Sequence, residues 1–459
     1  MHLVPISNHP MSKFFPPLFE EKMRHQLTKD WDAFAASHQV SPPVSIRINP
    51  KKSKAIHASR IPWTEYGYYL EARPSFTLDP SYHGGAYYVQ DASSMFLEQA
   101  VKQSLDLSQS LRILDLCAAP GGKSTHLLSL INSGSMLVAN EVIGSRATVL
   151  SENIQKWGHP NVIVTNNDPE DFQRLPGYFD AIVVDAPCSG EGLFRKDPGA
   201  MNEWSPDAVE LCAQRQRRIL HAVWPSLKQG GFLIYCTCTY NEKENEDNLI
   251  WLQQREGIES VDLEINPLWG IQKIRKGSCT GYRFFPHALQ GEGFFMAVLR
   301  KTEDEMAIRM KPKAAFASPA NKTVDFFREW ILDFSSFTFI LHGELILMIP
   351  SAYQTDLEWL SEKLKVLNKG TAVATQKREK LVPEHALALS TQVNTKNLET
   401  MELNKEQALV YLRKENLPSH EEKRGFALVV YEGMPLGWVN LLGTRINNLY
   451  PSAWRIRHL

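Results

Sequence analysis

Between Leu111 and Gln254, short apolar runs alternate with helix-spaced stretches, and few folds accommodate that order. Arg112–Cys117, Met136–Glu141, Asn161–Asn166, Phe179–Asp185 and Gly231–Tyr235 read as strands. The last two have the continuous apolar character of strands buried on both faces. Gly122–Ile131, Ile143–Trp157, Pro206–Leu227 and Glu242–Gln254 read as the intervening helices. Such alternation implies an α/β fold built on a doubly wound, mostly parallel sheet. Phe284 and Phe294–Leu299, joined through Gln290-Gly291-Glu292-Gly293, read as a closing hairpin that supplies an antiparallel edge strand.

The chain has 459 residues, more than one ordinary domain needs. Met23, Leu27, Trp31 and Phe34 recur at helical spacing, and Ser45–Asn49 alternates as a strand ended by Pro50. Tyr87–Val89 runs into a helix capped near Asp91. Lys301–Lys322 turns to charge, Ala, Ser and Pro, as linkers do. The expected division is an α+β flank over 1–100, the sheet domain over 101–302 and a linker over 303–322. A small mixed α/β module over 323–380 and a last module over 381–459 follow. The last module ends in a hairpin, Ala427–Tyr431 against Trp438–Leu442, turning through Gly433–Gly437. No acid follows Glu432, whereas Arg445, Arg455, Arg457 and His458 do, interleaved with Tyr450 and Trp454. Of the two aromatics, Trp454 is the expected core residue.

Formal net charge is −1, so any nucleic-acid binding must use local patches, not a global field. Met1–Pro10 has no apolar core of a signal peptide, and no run is long enough to cross a membrane. Six cysteines in this length make no disulfide framework, which points to a reducing cytoplasm.

Two strand ends carry the chemistry. Asp185-Ala186-Pro187-Cys188-Ser189-Gly190 follows one, and Cys236-Thr237-Cys238-Thr239 closes another. In open α/β sheets ligands bind beyond the carboxyl ends of the strands, so Cys188 and Cys238 are expected to face one pocket. Upstream, Cys117-Ala118-Ala119-Pro120-Gly121-Gly122-Lys123 links a strand to a helix. Its glycines admit a ligand close to the backbone, and a helix amino terminus favours electronegative groups. A phosphate-binding P-loop would need glycine where Cys117 stands. Glu141, ending the second strand, is placed for ribose hydroxyls, and Asp168 stands where an adenine amino group would be met.

A thiolate has a definite use on a pyrimidine. Addition at carbon 6 of cytosine makes carbon 5 enamine-like, able to attack a methyl sulfonium before the thiol is expelled. Most cysteines are simply packed, and Cys117, Cys212, Cys236 and Cys279 read that way. Zinc binding through Cys188, Cys236 and Cys238 lacks a Cys-x-x-Cys or His pair.

These motifs resemble the Nol/Nop/Sun family of RNA cytosine-carbon-5 methyltransferases. The matching segments are residues 117–123, 185–190 and 237–239, with Glu244-Asn245-Glu246 beyond them. The resemblance implies a Rossmann-like class I S-adenosylmethionine-dependent domain with Cys238 as nucleophile and Cys188 assisting product release. It implies Lys123 and Asp185 beside the target base, and cofactor contacts from residues 117–123, Glu141, Asp168 and Asp185. The flanks resemble the RsmF-type branch, which acts on small-subunit ribosomal RNA. Residues 1–100 then become an RNA-recognition flank and 381–459 a PUA-like RNA-binding module. The implied partner is RNA, bound by a monomer without metal or membrane. Transfer RNA as the target, or a non-catalytic assembly factor on the same fold, are the alternatives.

Overall fold

A computed structural model describes residues 15–53, 56–303, 310–313, 315–378, 380–417 and 423–457. Met1–Pro10, where no leader is expected, and His458 of the basic tail lie outside the described residues.

The central domain carries β1 (Arg112–Asp115), α1 (Gly122–Leu130), β2 (Met136–Asn140), α2 (Gly144–Trp157), β3 (Val162–Thr165) and β4 (Phe179–Asp185). It continues with α3 (Pro206–Val223), β5 (Leu227–Thr237), α4 (Glu246–Gln253), β6 (Cys279–Phe284) and β7 (Phe294–Lys301). Across the sheet these strands run β6-β7-β5-β4-β1-β2-β3. β1 to β5 are parallel, and β7 enters antiparallel between β5 and β6. The chain reverses direction across the sheet between β1 and β4, which opens a crevice at their carboxyl ends. All residues of β2 and β3 are buried, as strands covered on both faces require.

The expected doubly wound sheet with antiparallel additions is present, and its edges differ in detail. The hairpin partner Phe294–Lys301 lies inside the sheet against β5, and Gln272–Lys276 takes the edge beyond β6. At the opposite edge Val366–Asn368 pairs antiparallel with β3, giving ten strands in all. α3 stops at Val223 because Trp224–Ser226 tightens into a 3₁₀ turn around Pro225, and β5 begins at Leu227 rather than Gly231. α4 begins at Glu246 instead of Glu242. Asn245 is non-helical there, accepting from Thr237 Oγ1 (2.5 Å) and donating to the Thr239 carbonyl (2.9 Å).

The amino-terminal flank reaches the central domain at two places. Helices Pro17–Leu27 and Trp31–Ser37 bury Phe19, Met23, Trp31 and Phe34 against Phe194, Tyr240 and Phe285. Phe194 and Tyr240 follow the Cys188 and Cys238 segments, so these helices brace both. The flank also forms a four-stranded sheet from Val44–Ile48, Ser59–Arg60, Gly67–Leu70 and Tyr87–Val89.

Residues 323–380 divide their contacts. Helix Gln354–Lys363 lays Leu357, Trp359 and Leu360 on the central domain near Tyr178 and Phe179, and Asp356 pairs with Arg112 at 2.6 Å. Strands Phe337–His342 and Leu345–Pro350 add Ile340, Leu347 and Ile349 to that central core. Together with Thr371–Lys377 they share a second core with the last module, joining Phe327, Ile346, Met348 and Val373 to Leu428, Val430 and Trp438. A cut at residue 380 would pass through that core. The final hairpin spans Arg424–Tyr431 and Met434–Leu442, and turns through Glu432-Gly433, both at positive φ. Tyr450 is the buried aromatic of the tail at 1% exposure, while Trp454 stays half-buried against His385. That reverses the expected roles: the neighbouring Tyr411 ring, packed on Tyr450, fills the interior position.

Candidate active site

The crevice between β1 and β4 holds a cavity of about 590 Å³, in the range that takes a nucleoside-sized ligand. Cys117 and Ala119 line it from the loop after β1, and Asn140, Glu141, Val142 and Ile143 from the end of β2. Asp185, Pro187 and Cys188 enter from the end of β4, and Cys238 from the end of β5. Cys188 Sγ and Cys238 Sγ lie 3.0 Å apart. The parallel register of β4 and β5, with Asp185 opposite Cys236, carries both segments to the same level. Gly192 N then donates to the Cys238 carbonyl (2.9 Å), and a Cβ at Gly192 would stand 2.4 Å from the Gly293 carbonyl oxygen. Only glycine permits that approach.

The loop after β1 is held from three sides. Ala118 N donates to the Asn140 carbonyl (2.8 Å), while Arg146 and Asn153 of α2 donate to the carbonyls of Ala119 and Pro120 (2.8 Å each). Gly121 takes φ +114°, a conformation that favours glycine, and Gly122 opens α1. Arg47, fully buried, reaches in from the flank. Its guanidinium donates to Gly122 O (3.2 Å), Thr125 Oγ1 (2.6 Å) and Gln90 Oε1 (2.9 Å), and stacks 4.5 Å over Trp157. Burial holds its pKa down to about 9. The flank thus fixes the first turn of the helix that bears Lys123.

Lys123 Nζ donates to Asp185 Oδ2 at 2.6 Å. Burial works against the ammonium, but Asp185, Cys236 and Asp115 together outweigh burial and hold the lysine above its ordinary range. Below this pair sits Asp115, a fully buried carboxyl at the end of β1. It accepts from Ser124 Oγ (2.6 Å), its second oxygen has no partner among the described residues, and burial pushes it up to about 7. The Cys117 and Cys236 thiols are pushed up by burial. Cys188 is pushed up first by its contact with Cys238 and then by burial.

Of the expected site residues, Cys117, Ala119, Glu141, Asp185, Cys188 and Cys238 line the cavity, and Lys123 reaches it through Asp185. Ala118, Pro120, Gly121 and Gly122 shape the loop without lining it. Asp168 stands at the rim beside Pro169, which does line it. The Asp168 carboxylate caps the turn at Glu170 N (3.1 Å) and pairs with Arg218 at 3.1 Å. Glu141 is 2% exposed and accepts from Ile143 N at 2.9 Å.

Sequence reasoning passed over Asp115, Asn140, Arg146, Arg215 and Arg218. Asp115 had a usable signal, an acid ending an apolar strand two residues before the loop. The arginines had none, because helix spacing alone does not say which face of α2 or α3 meets the crevice. The cavity suits an uncharged base and a ribose: Val142 and Ile143 offer an apolar wall and Glu141 an acceptor. Among the described residues, no group of three or more His, Cys, Asp or Glu side chains is placed to hold a metal ion. No helix among them is long and apolar enough to cross a membrane.

Three family models match successive parts of the chain. They describe the N-terminal domain of 16S rRNA methyltransferase RsmF (residues 15–92), 16S rRNA methyltransferase RsmB/F (102–300) and the methyltransferase RsmF PUA domain (398–456). The ribosomal RNA small subunit methyltransferase F of Shewanella loihica is 32% identical over 433 residues, covering 89% of this chain and 88% of its own length. That of Shigella boydii is 30% identical over 467 residues, covering 95% and 96%. A methyltransferase homolog protein from Pyrococcus horikoshii has a similar fold, with a TM-score of 0.54 and 26% identity over 62% of this chain and 95% of that one. NSun6 from the same organism, solved with SFG, shares the fold at a TM-score of 0.53 and 21% identity, covering 64% of this chain and 100% of that one. With curated relatives this similar along nearly its whole length, the chain belongs to the RsmF branch of the 16S rRNA methyltransferase RsmB/F family.

Proposed function

We propose that this protein transfers a methyl group from S-adenosylmethionine to carbon 5 of a cytosine in small-subunit (16S) ribosomal RNA. A covalent bond from Cys238 to carbon 6 of the base drives the reaction. The observation that carries this reading is the pair of thiols 3.0 Å apart in the wall of a nucleoside-sized cavity. The relatives' names, which specify small-subunit ribosomal RNA, support the substrate class.

S-adenosylmethionine supplies an activated methyl sulfonium. Glu141, the 117–122 loop and Asp185 are the residues that would hold it, with Val142 and Ile143 beside the adenine and Asp168 at the rim. Cys238, as thiolate, forms the S–C6 bond, and the displaced electron pair makes carbon 5 nucleophilic. Carbon 5 takes the methyl group. Loss of the carbon 5 proton and rupture of the S–C6 bond then restore the aromatic ring and return the thiolate. Once Cys238 is bonded to carbon 6 it no longer carries the charge, so Cys188 can give its own proton to solvent and, as thiolate, take the carbon 5 proton while the S–C6 bond breaks. The Lys123–Asp185 pair faces the base and fixes its orientation. A reducing cytoplasm suits two thiols in contact that must both stay reduced. All these groups come from one chain, which we read as working as a monomer.

Bisulfite sequencing of ribosomal RNA from a strain lacking the gene tests the reading. At least one protected cytosine of the small-subunit RNA should become convertible, and an unchanged pattern would overturn it.

The tail adds a separate expectation. Arg445, Arg455 and Arg457 are exposed, in a segment without acids. Replacing all three with alanine should weaken RNA binding and flatten its salt dependence by about 0.7 in log–log slope per lost phosphate contact. Binding of S-adenosylmethionine should not change. An unaltered salt slope would show that the RNA grip lies elsewhere.

A further inference from the structure

Building on that functional reading, we propose that Glu244 is the positioning residue of the two-thiol centre. It locks the Cys188 and Cys238 segments together and disfavours a negative charge on Cys188.

Glu244 lies in the turn between β5 and α4 and is buried. Its Oε2 accepts from Ser189 N and from Gln216 Nε2, both at 2.9 Å, and its Oε1 accepts from Ser189 Oγ. Ser189 Oγ in turn contacts Thr239 Oγ1 at 3.1 Å. The residue after each cysteine is thereby tied to the residue after the other. Gln216 Nε2 also donates to the Pro187 carbonyl (3.0 Å), so both neighbours of Cys188 belong to the network. Asn248 orients Gln216 by donating to its Oε1 (2.8 Å), and Tyr235 Oη and Asn248 Nδ2 donate to the Glu244 carbonyl (2.6 and 3.0 Å). The side-chain carboxylate therefore receives only donors, the environment of an anion, although burial pushes the other way and raises its pKa.

Two thiols in contact share one hydrogen bond, so one sulfur ionises at the expense of the other. After the Cys238 contact and burial, the Glu244 carboxylate, held on Ser189 beside Cys188, also opposes an anion there. The groups around the pair are few. Asp185, neutralised by Lys123, comes from β4, and Cys212, Arg215 and Arg218 come from α3. Glu191 comes from the Cys188 segment, and Lys22, which faces Glu191 and Glu244, from the first helix of the flank. Glu191 binds Tyr240 N (3.1 Å) and Asn241 Nδ2 (3.0 Å), so it braces the Cys238 turn without touching Ser189.

The test uses full-length protein and reads the thiols directly. Alkylation of Cys188 by iodoacetamide is followed against pH by peptide mass spectrometry in Cys238→Ala, with and without Glu244→Gln. The midpoint should fall by about one pH unit when the charge is removed. In the otherwise native enzyme, Glu244→Gln should lower kcat on the order of 10- to 100-fold while leaving the KM for S-adenosylmethionine within about twofold. Ser189→Ala should give a smaller loss in the same direction, and it carries the test if Glu244→Gln does not fold. An unmoved alkylation midpoint, or unchanged turnover in both variants, overturns the proposal. A wild-type protein that never methylates RNA would defeat the functional reading instead, and the alkylation comparison would still decide the charge bias.

Discussion

Replacing Cys238 with alanine is expected to abolish methyl transfer, a loss on the order of 10⁴-fold or more, because no other step supplies a nucleophilic carbon 5. The change is confined to one sulfur. The backbone at 238 is held through its carbonyl by Gly192 N, and the strand beneath it is paired on both sides. S-adenosylmethionine binding, measured by calorimetry, should survive, since Glu141 and the 117–122 loop lie on other strands. Wild-type product from this variant would move the nucleophile away from Cys238.

Replacing Cys188 with alanine should have the opposite signature. Addition to carbon 6 needs only Cys238, so the covalent species should still form, but its release should stall. A protein–RNA adduct stable on a denaturing gel is expected, with turnover reduced by about 10²- to 10⁴-fold, the usual range for losing an acid–base group. The adduct should vanish when Cys238→Ala is added. The family resemblance implies release by Cys188, the 3.0 Å contact between the sulfurs supports it, and Asp185 Oδ2 is occupied by Lys123. An adduct that persists without Cys238 would contradict both roles.

Much of this site is legible in the amino-acid sequence, for a physical reason. In a parallel sheet every strand ends at the same face, so residues just past β1, β2, β4 and β5 must converge however far apart they lie along the chain. Cys117, Glu141, Asp185, Cys188 and Cys238 all occupy such ends. What sequence does not reveal is lateral. Val366–Asn368 pairs with β3 across some 200 intervening residues, and nothing local in a three-residue strand announces a partner. Arg47 sits on a strand whose alternation says nothing of what its guanidinium meets, and it is sealed beneath the first turn of α1. Glu244 follows the cysteine motif in an expected helix. Its real conformation is a turn, because Asn245 is held by Thr237 and Thr239, and only that turn lets the carboxylate reach Ser189. Asp168 shows the converse. It follows a strand, three residues past the end of β3, but with Pro169 behind it and Arg218 opposite, its carboxylate is committed to the rim.

The decisive question is which atom of the enzyme bonds to the base. RNA bearing 5-fluorocytidine removes the proton that release requires, so a covalent intermediate accumulates after methyl transfer. The protein is incubated with S-adenosylmethionine and fluorinated small-subunit RNA, digested, and its cysteine peptides are sequenced by mass spectrometry. The account predicts a methylated fluorocytidine attached to Cys238 in an adduct that forms only when S-adenosylmethionine is present. Attachment to Cys188, or turnover of the natural RNA with no adduct on the fluorinated one, would contradict it.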